Sequence, residues 1–230
     1  MAPDNRLGIT DSAELAKVEE RISKKKAAWL FDSDRLDELE AGSFAALSEI
    51  HRVLFDEIYD FAGVLRTVNI SKGNFRFAPV MYLEATIRNI GQMPKRAFDE
   101  IVEKYVEMNI AHPFRDGNGR STRIWLDLML KKEVNQVVDW SKIDKDDYLM
   151  AMERSPVKDI EIKHILRNAL VDKINDREMI MDNIISNNKI TRNELAKIAG
   201  VSKKTIERKL KGMPNVKYVG TGRHGHWEVK

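Results

Sequence analysis

The sequence predicts a mainly α-helical protein: a helical body interrupted by one short β-hairpin, then a small C-terminal module of helices and a second hairpin. Three observations predict it. Up to Ile185, apolar residues recur at steps of three and four, the period of a buried helix face. Residues 65–78 break that rhythm, with β-branched and aromatic residues on both sides of a glycine turn. Charge is uneven: residues 189–230 hold eleven Lys and Arg against three Glu, a net +8, and the chain total of +3 leaves −5 on the preceding 188 residues. A mildly acidic body with a basic appendage is expected.

Each element has its own signal. Ser12–Leu30 carries the first helical pattern. From Ser43 to Phe61, Phe44, Leu47, Ile50, Leu54, Ile58 and Phe61 share one face, and Gly63 is a stop. Leu65–Ala78 is the hairpin, turning at Lys72-Gly73-Asn74. Val80–Gln92 is helical, and Pro94 suits the first turn of the next helix, with Phe98, Ile101, Val102, Tyr105 and Val106 inward. A helix from Ser121 to Lys132 places Lys131 and Lys132 at its C-terminal end, where the dipole favours cations. Asp144–Met152, Ile160–Val171 and Arg177–Ile185 complete the helices. The expected division is an N-terminal helical segment (1–35), a main domain (36–175) and a C-terminal domain with linker helix (176–230).

The 230 residues, 43% hydrophobic and 33% charged, suffice for a self-supporting core and exclude disordered and collagenous classes. With no cysteine, thiol nucleophiles, thiolate metal sites and disulfide frameworks are excluded. No stretch approaches a membrane span and Met1–Thr10 lacks a secretory pattern, so the expectation is a cytoplasmic protein without membrane partner.

The tail has its own order. Thr191 and Glu194 form a capping-box signature, Gly200 ends that helix, and Ser202 opens a second through Leu210. Val216–Val219 and His226–Val229 flank the glycine-rich Gly220–Gly225. Helix, turn, helix and hairpin make a winged helix-turn-helix. Lys203, Lys204, Thr205 and Arg208 would face a DNA major groove and Arg223 would sit on the wing. Modules of this shape also dock proteins or pack on a neighbouring domain, so both readings follow.

The chemistry concentrates in His112–Arg123, HPFRDGNGRSTR. Gly117, Asn118 and Gly119 suit unusual backbone angles that aim amides at an anion, and the helix expected from Ser121 points its positive end at the same place. Arg120 and Arg123, one turn apart, suit phosphate oxygens. Asp116 offers a hard oxygen for Mg²⁺. His112 accepts a proton near neutral pH. Their conjunction in twelve residues points to nucleotide phosphate handling.

This stretch fully matches H-x-F-x-D/E-G-N-G-R-x-x-R, and the chain thereby resembles the Fic family. Ile50-His51, Tyr59-Asp60-Phe61-Ala62-Gly63, the Asn69–Ala78 hairpin and Met152-Glu153-Arg154-Ser155-Pro156 extend the likeness over roughly Leu36–Val171. The resemblance implies a helical core with a β-hairpin flap, and AMP transfer from ATP to a Ser, Thr or Tyr hydroxyl of a protein, the enzyme itself included. In that scheme His112 is the general base and Asp116 holds Mg²⁺. Asn118 and Gly119 cradle the α- and β-phosphates, with Gly117 in the same nucleotide set, Arg120 contacts the β-phosphate and Arg123 the γ-phosphate. Ser121, Thr122 and Lys72 join the nucleotide set, and Asn109, Ile110, Lys145 and Tyr148 line the adenosine side. Phe114 anchors the loop. The flap residues Ser71, Lys72, Gly73 and Asn74 pair with the target segment.

Many members carry an inhibitory S/T-x-x-x-E-G/N helix whose glutamate pairs with the second motif arginine. Here only Thr10…Glu14 approaches it, and Leu15 follows where Gly or Asn belongs. A separate inhibitor protein, a loosely acting N-terminal helix and a constitutively competent enzyme are all compatible. Two functions follow: a protein adenylyltransferase, or a DNA-binding regulator whose Fic fold senses nucleotide. The intact His112 favours the first, since a sensor needs no base.

Overall fold

The computed structural model describes all residues except 1, 34, 73–74, 173–175, 200, 221–224 and 230, and only the backbone at 32, 72, 75, 176 and 177. Two compact units follow one another, Met1–Asp172 and Lys173–Lys230.

The first unit runs α1 (Ser12–Asp32), α2 (Arg35–Glu38), α3 (Phe44–Phe55), β1 (Ser71–Lys72), β2 (Phe75–Arg76), α4 (Val80–Gln92), α5 (Phe98–Ala111), α6 (Asn118–Glu133), β3 (Gln136–Val138), a 3-10 turn (Trp140–Lys142), α7 (Lys145–Arg154), α8 (Ile160–Asn168) and β4 (Leu170–Asp172). Its core forms around α6, whose Trp125, Leu126, Leu128, Met129 and Leu130 are all buried. A helix buried on several faces along its middle belongs at a centre. It packs between α5 and α3, and α3 in turn carries α1. The N-terminal helix is thus part of the same unit as the motif helix. Asp11 caps α1 and Ser43 caps α3, each accepting a first-turn amide, at about 1 kcal/mol apiece.

Three elements depart from the sequence pattern. The helix expected to reach Phe61 ends at Phe55, because Gly63 turns back with φ +76 and donates its amide to His51 Nδ1 at 2.8 Å. A Cβ at Gly63 would stand 2.9 Å from the Ser48 carbonyl. Pro94 does not open α5; Glu100 reaches back to the amides of Arg96 and Ala97, so the helix starts at Phe98. The pattern Ile160–Val171 divides at Asn168, and Leu170–Asp172 leaves as β4 to pair antiparallel with β3, Val137 opposite Val171. That partner is distant in sequence, which local periodicity does not register.

The second unit holds α9 (Asp176–Ser186), α10 (Arg192–Ala199), α11 (Lys203–Lys211) and the antiparallel β5 (Val216–Val219) and β6 (His226–Val229). Ile180, Ile184, Leu195, Ile206, Leu210 and Trp227 form a core of its own. Thr191 and Glu194 exchange the capping-box bonds, and Ser202 caps α11 through the Thr205 amide. Among the described residues no helix is long and apolar enough to cross a membrane.

Candidate active site

The motif loop joins the end of α5 to the start of α6. His112 ends α5 in the left-handed region, φ 49 and ψ 65, a conformation that a non-glycine residue holds only where its surroundings impose it. Arg66 supplies much of that constraint. Its buried guanidinium donates to the carbonyls of His112 (2.8 Å), Ala111 (3.1 Å), Val68 (2.7 Å) and Ala78 (2.5 Å). One side chain therefore ties both ends of the hairpin segment to the residue before the loop. His112 Nδ1 donates to the Asn109 carbonyl at 3.3 Å, which sets the tautomer with the lone pair on Nε2. Its ring stacks on Phe77, centroids 3.7 Å apart.

Below the loop, fully buried Phe114 stacks on His51 at 3.8 Å. His51 donates from Nε2 to the Asp116 carbonyl at 2.8 Å and accepts the Gly63 amide on Nδ1. Burial brings its pKa down to about 4, so a neutral imidazole splints the loop. Asn118 closes the turn with both ends of its side chain on the Phe114 backbone, Oδ1 accepting at 2.9 Å and Nδ2 donating at 2.8 Å. Gly117, φ +75, is the N-cap of α6, and a Cβ there would meet the Phe55 ring at 2.4 Å.

Several expectations need correction. α6 begins at Asn118, three residues before Ser121, so Asn118 and Gly119 are ordinary helical residues and only Gly117 has unusual angles. The Asn118 side chain is spent on Phe114, which leaves its backbone alone for an anion. Ser121 and Thr122 are buried, their hydroxyls bonded to the helix carbonyls of Gly117 and Asn118. The Ser121 amide is also taken, by the Gly117 carbonyl, and both side chains turn into the helix. Tyr148 is buried with its phenol on Tyr105 and does not line an open surface. Asn109 is half-buried, donating to the Tyr105 carbonyl and accepting from Thr122. Ile110 is half-buried and accepts the Ala78 amide on its carbonyl; Lys145 is exposed at the first turn of α7.

What remains is the start of α6, with two arginines on its first two turns and His112 just before the loop. Among the described residues no side chain caps α6, so its first-turn amides, at the positive end of the helix dipole, stand available. Arg120 is held by α1: Nη2 on Glu19, Nη1 on Ser23 Oγ at 3.1 Å, the guanidinium 4.7 Å above the Phe55 ring. Glu19 is buried and accepts the buried Tyr59 hydroxyl on its other oxygen. Arg120 itself is half-buried, so the pair is sheltered on the Glu19 side and open to solvent on the other. Arg123 lies 5.5 Å over Trp140, whose Nε1 donates to Asp127 at 2.8 Å. Burial pushes the Asp127 carboxyl up to about 6, against the pull of the Trp140 and Val138 donors. Both arginines open on a cavity of about 360 Å³, walled also by Ser23, Lys24, Phe31 and Trp140.

Asp116 is exposed, one oxygen on the Gly117 amide at 2.6 Å. A single exposed carboxylate fits Mg²⁺, which takes one or two protein oxygens and leaves the rest to phosphates and water. In the hairpin Ser71 pairs with Arg76 and Lys72 with Phe75; the Lys72 side chain, Gly73 and Asn74 lie outside what is described. In the second unit Lys203 and Lys204 are exposed and Arg208 is half-buried. Thr205 is buried against Ser202 and is not offered to a groove, and Arg223 lies outside the described residues.

Glu19, Arg66 and Asp127 escaped the sequence reading, and His51 entered it only as part of the family likeness, without its place under the loop. Glu19 left a trace: it sits four residues after Leu15 and three before Ile22, a charge on the inward face of the first helix.

Known proteins resemble this chain. The model of the Fic/DOC family matches residues 42–130. The probable protein adenylyltransferase Fic of Salmonella typhimurium is 30% identical over 178 residues, covering 72% of this chain and 86% of the relative. The chain belongs to the Fic/DOC family. Another Fic relative, the protein adenylyltransferase VbhT of Bartonella schoenbuchensis, is 31% identical over 160 residues, 64% of this chain; the chain spans about a third (32%) of VbhT's length. The BepC protein of Bartonella tribocorum, solved with bound AMPPNP, superposes with a TM-score of 0.65 at 18% identity, over 76% of this chain and 94% of that one. A Bartonella quintana Fic domain with bound ADP gives 0.63 at 18% identity, over 74% and 91%. The mainly helical Fic fold is therefore established for this chain.

Proposed function

We propose that the chain is a protein adenylyltransferase, transferring AMP from ATP to a hydroxyl of a protein target. The observation that carries this reading is the uncapped start of α6, flanked by Arg120 and Arg123 and preceded by a histidine locked in one tautomer. The names of the relatives support it.

His112 Nε2 takes the proton of the acceptor hydroxyl as its oxygen attacks the α-phosphorus. The new O–P bond forms while the bond from the α-phosphorus to the bridging oxygen breaks, and pyrophosphate departs with that electron pair. The amides of Asn118 and Gly119 and the guanidinium groups of Arg120 and Arg123 face the negative charge that grows on the leaving group, in an arrangement fixed before the reaction. Mg²⁺, when bound at Asp116, would supply further charge neutralisation at the phosphates. The flap offers a strand edge at Ser71 and Lys72, on which an extended target segment would add and bring its hydroxyl into register. Absence of cysteine accords with work in a reducing cytoplasm.

The test is incubation with Mg²⁺ and α-labelled ATP, with and without cell lysate, for the wild type and His112→Ala. Label on a protein hydroxyl that falls at least about 10²-fold in the variant is expected. Labelling by the variant at the wild-type rate would remove His112 from its role.

A second reading concerns the C-terminal unit. Its α10–α11 pair followed by a hairpin supports a winged helix-turn-helix, and α11 carries Lys203 and Lys204 exposed in a first turn with no acidic residue. Cations there oppose the helix dipole, a cost that a phosphate backbone reverses. DNA is the partner this favours, either as a route to a DNA-associated target or as the ligand of a regulator.

A further inference from the structure

We propose that Glu19 is a positioning residue for nucleotide binding: from α1 it aims the Arg120 guanidinium at the β-phosphate. The inference rests on the adenylyltransferase reading and extends the site to a helix outside the motif. Three groups grip Arg120: Glu19 on Nη2, Ser23 Oγ on Nη1 at 3.1 Å, and the face of Phe55 at 4.7 Å. An arginine side chain free in solution spends rotamer entropy when it meets a phosphate; one already held does not. The guanidinium has five N–H donors, and the grip takes two of them.

The alternative is that Glu19 masks Arg120 and must withdraw before nucleotide binds. The geometry points away from it. Glu19 is 7% exposed and its second oxygen accepts the hydroxyl of Tyr59, itself 1% exposed. Burial first, then the Glu19 carboxylate, raises the Tyr59 pKa, so the phenol stays a donor. Withdrawal would strand a buried carboxylate with only a phenol for company. A bracket fastened at both ends suits a fixed aim, with phosphate taking the donors left over.

Titration calorimetry of the full chain with Mg²⁺ and either ADP or AMP tests this, because AMP lacks the phosphate assigned to Arg120. Glu19→Ala is expected to weaken ADP about tenfold and leave AMP within threefold. Glu19→Gln, which keeps an acceptor in place, should recover most of the ADP affinity. Tyr59→Phe, which frees one side of the bracket without touching the carboxylate, should give a smaller loss with the same selectivity and serves if Glu19→Ala does not fold. Unchanged or tighter ADP binding by Glu19→Ala or Tyr59→Phe would overturn the proposal. So would equal losses for ADP and AMP, which mean a structural role only. Wild type that binds neither nucleotide would sink the adenylyltransferase reading, and this inference with it.

Discussion

Arg66 Nε donates to the backbone carbonyl of His112 at 2.8 Å, joining the residue at the foot of the flap to the residue expected to carry the proton. The same guanidinium holds Val68, Ala78 and Ala111, and among the described residues no carboxylate is bonded to it. A planar fork reaching four carbonyls is a task that a lysine ammonium does not reproduce.

Arg66→Lys should therefore keep the charge and lose the aim. The expected result is a fall in turnover of about 10²-fold, as for a small misplacement of a reacting group, with KM for ATP within threefold. Steady-state labelling kinetics read it. Parallel changes in both constants would indicate that Arg66 acts on the whole domain and not on the His112 loop.

Two buried titrating groups, His51 and Asp127, give opposite pH dependences. His51 holds its proton only below about 4 in the folded protein, against 6.5 as its ordinary value. Its stabilisation is present above 6.5 and lost as pH falls toward 4. Asp127 keeps its proton up to about 6, against 3.8. Its contribution is greatest below 3.8 and lost as pH rises through 6. At about 1.4 kcal/mol per pH unit, His51 is worth at most about 3.5 kcal/mol and Asp127 at most about 3 kcal/mol. Acidification from 6 to 4 thus sets one against the other. Urea unfolding across that window should show Asp127→Asn losing stability more steeply than wild type, and His51→Gln less steeply. Parallel curves for all three would exclude these residues as the source.

The C-terminal lysines make a salt-dependent claim. Wild type should bind duplex DNA by fluorescence anisotropy, with log affinity falling linearly in log salt. Lys203→Glu with Lys204→Glu should weaken binding more than tenfold and reduce the slope by about 2. No binding by wild type at low salt would leave the unit as a protein-docking module.

Much of this was legible in the chain because it is local. Helix periodicity placed α4 to the residue, and the caps at Ser202 and Thr191 are written within a few positions. The motif HPFRDGNGRSTR pointed to the candidate site, since its conjunction of groups lies in one uninterrupted stretch. The inward or outward fate of its members was not legible. Asn118, Ser121 and Thr122 have donors and acceptors that suit a phosphate, and α6 turns all three side chains inward instead.

The sequence by itself determined the helical class and the family motif, because these depend on spacing and residue type. The tertiary structure alone decided that Arg66 restrains His112 across 46 positions, that Glu19 holds Arg120 across 101, and that β4 finds β3. Such pairings are set by which buried polar group meets a partner once the core has closed, and water-stripped donors and acceptors choose by distance in space, not along the chain.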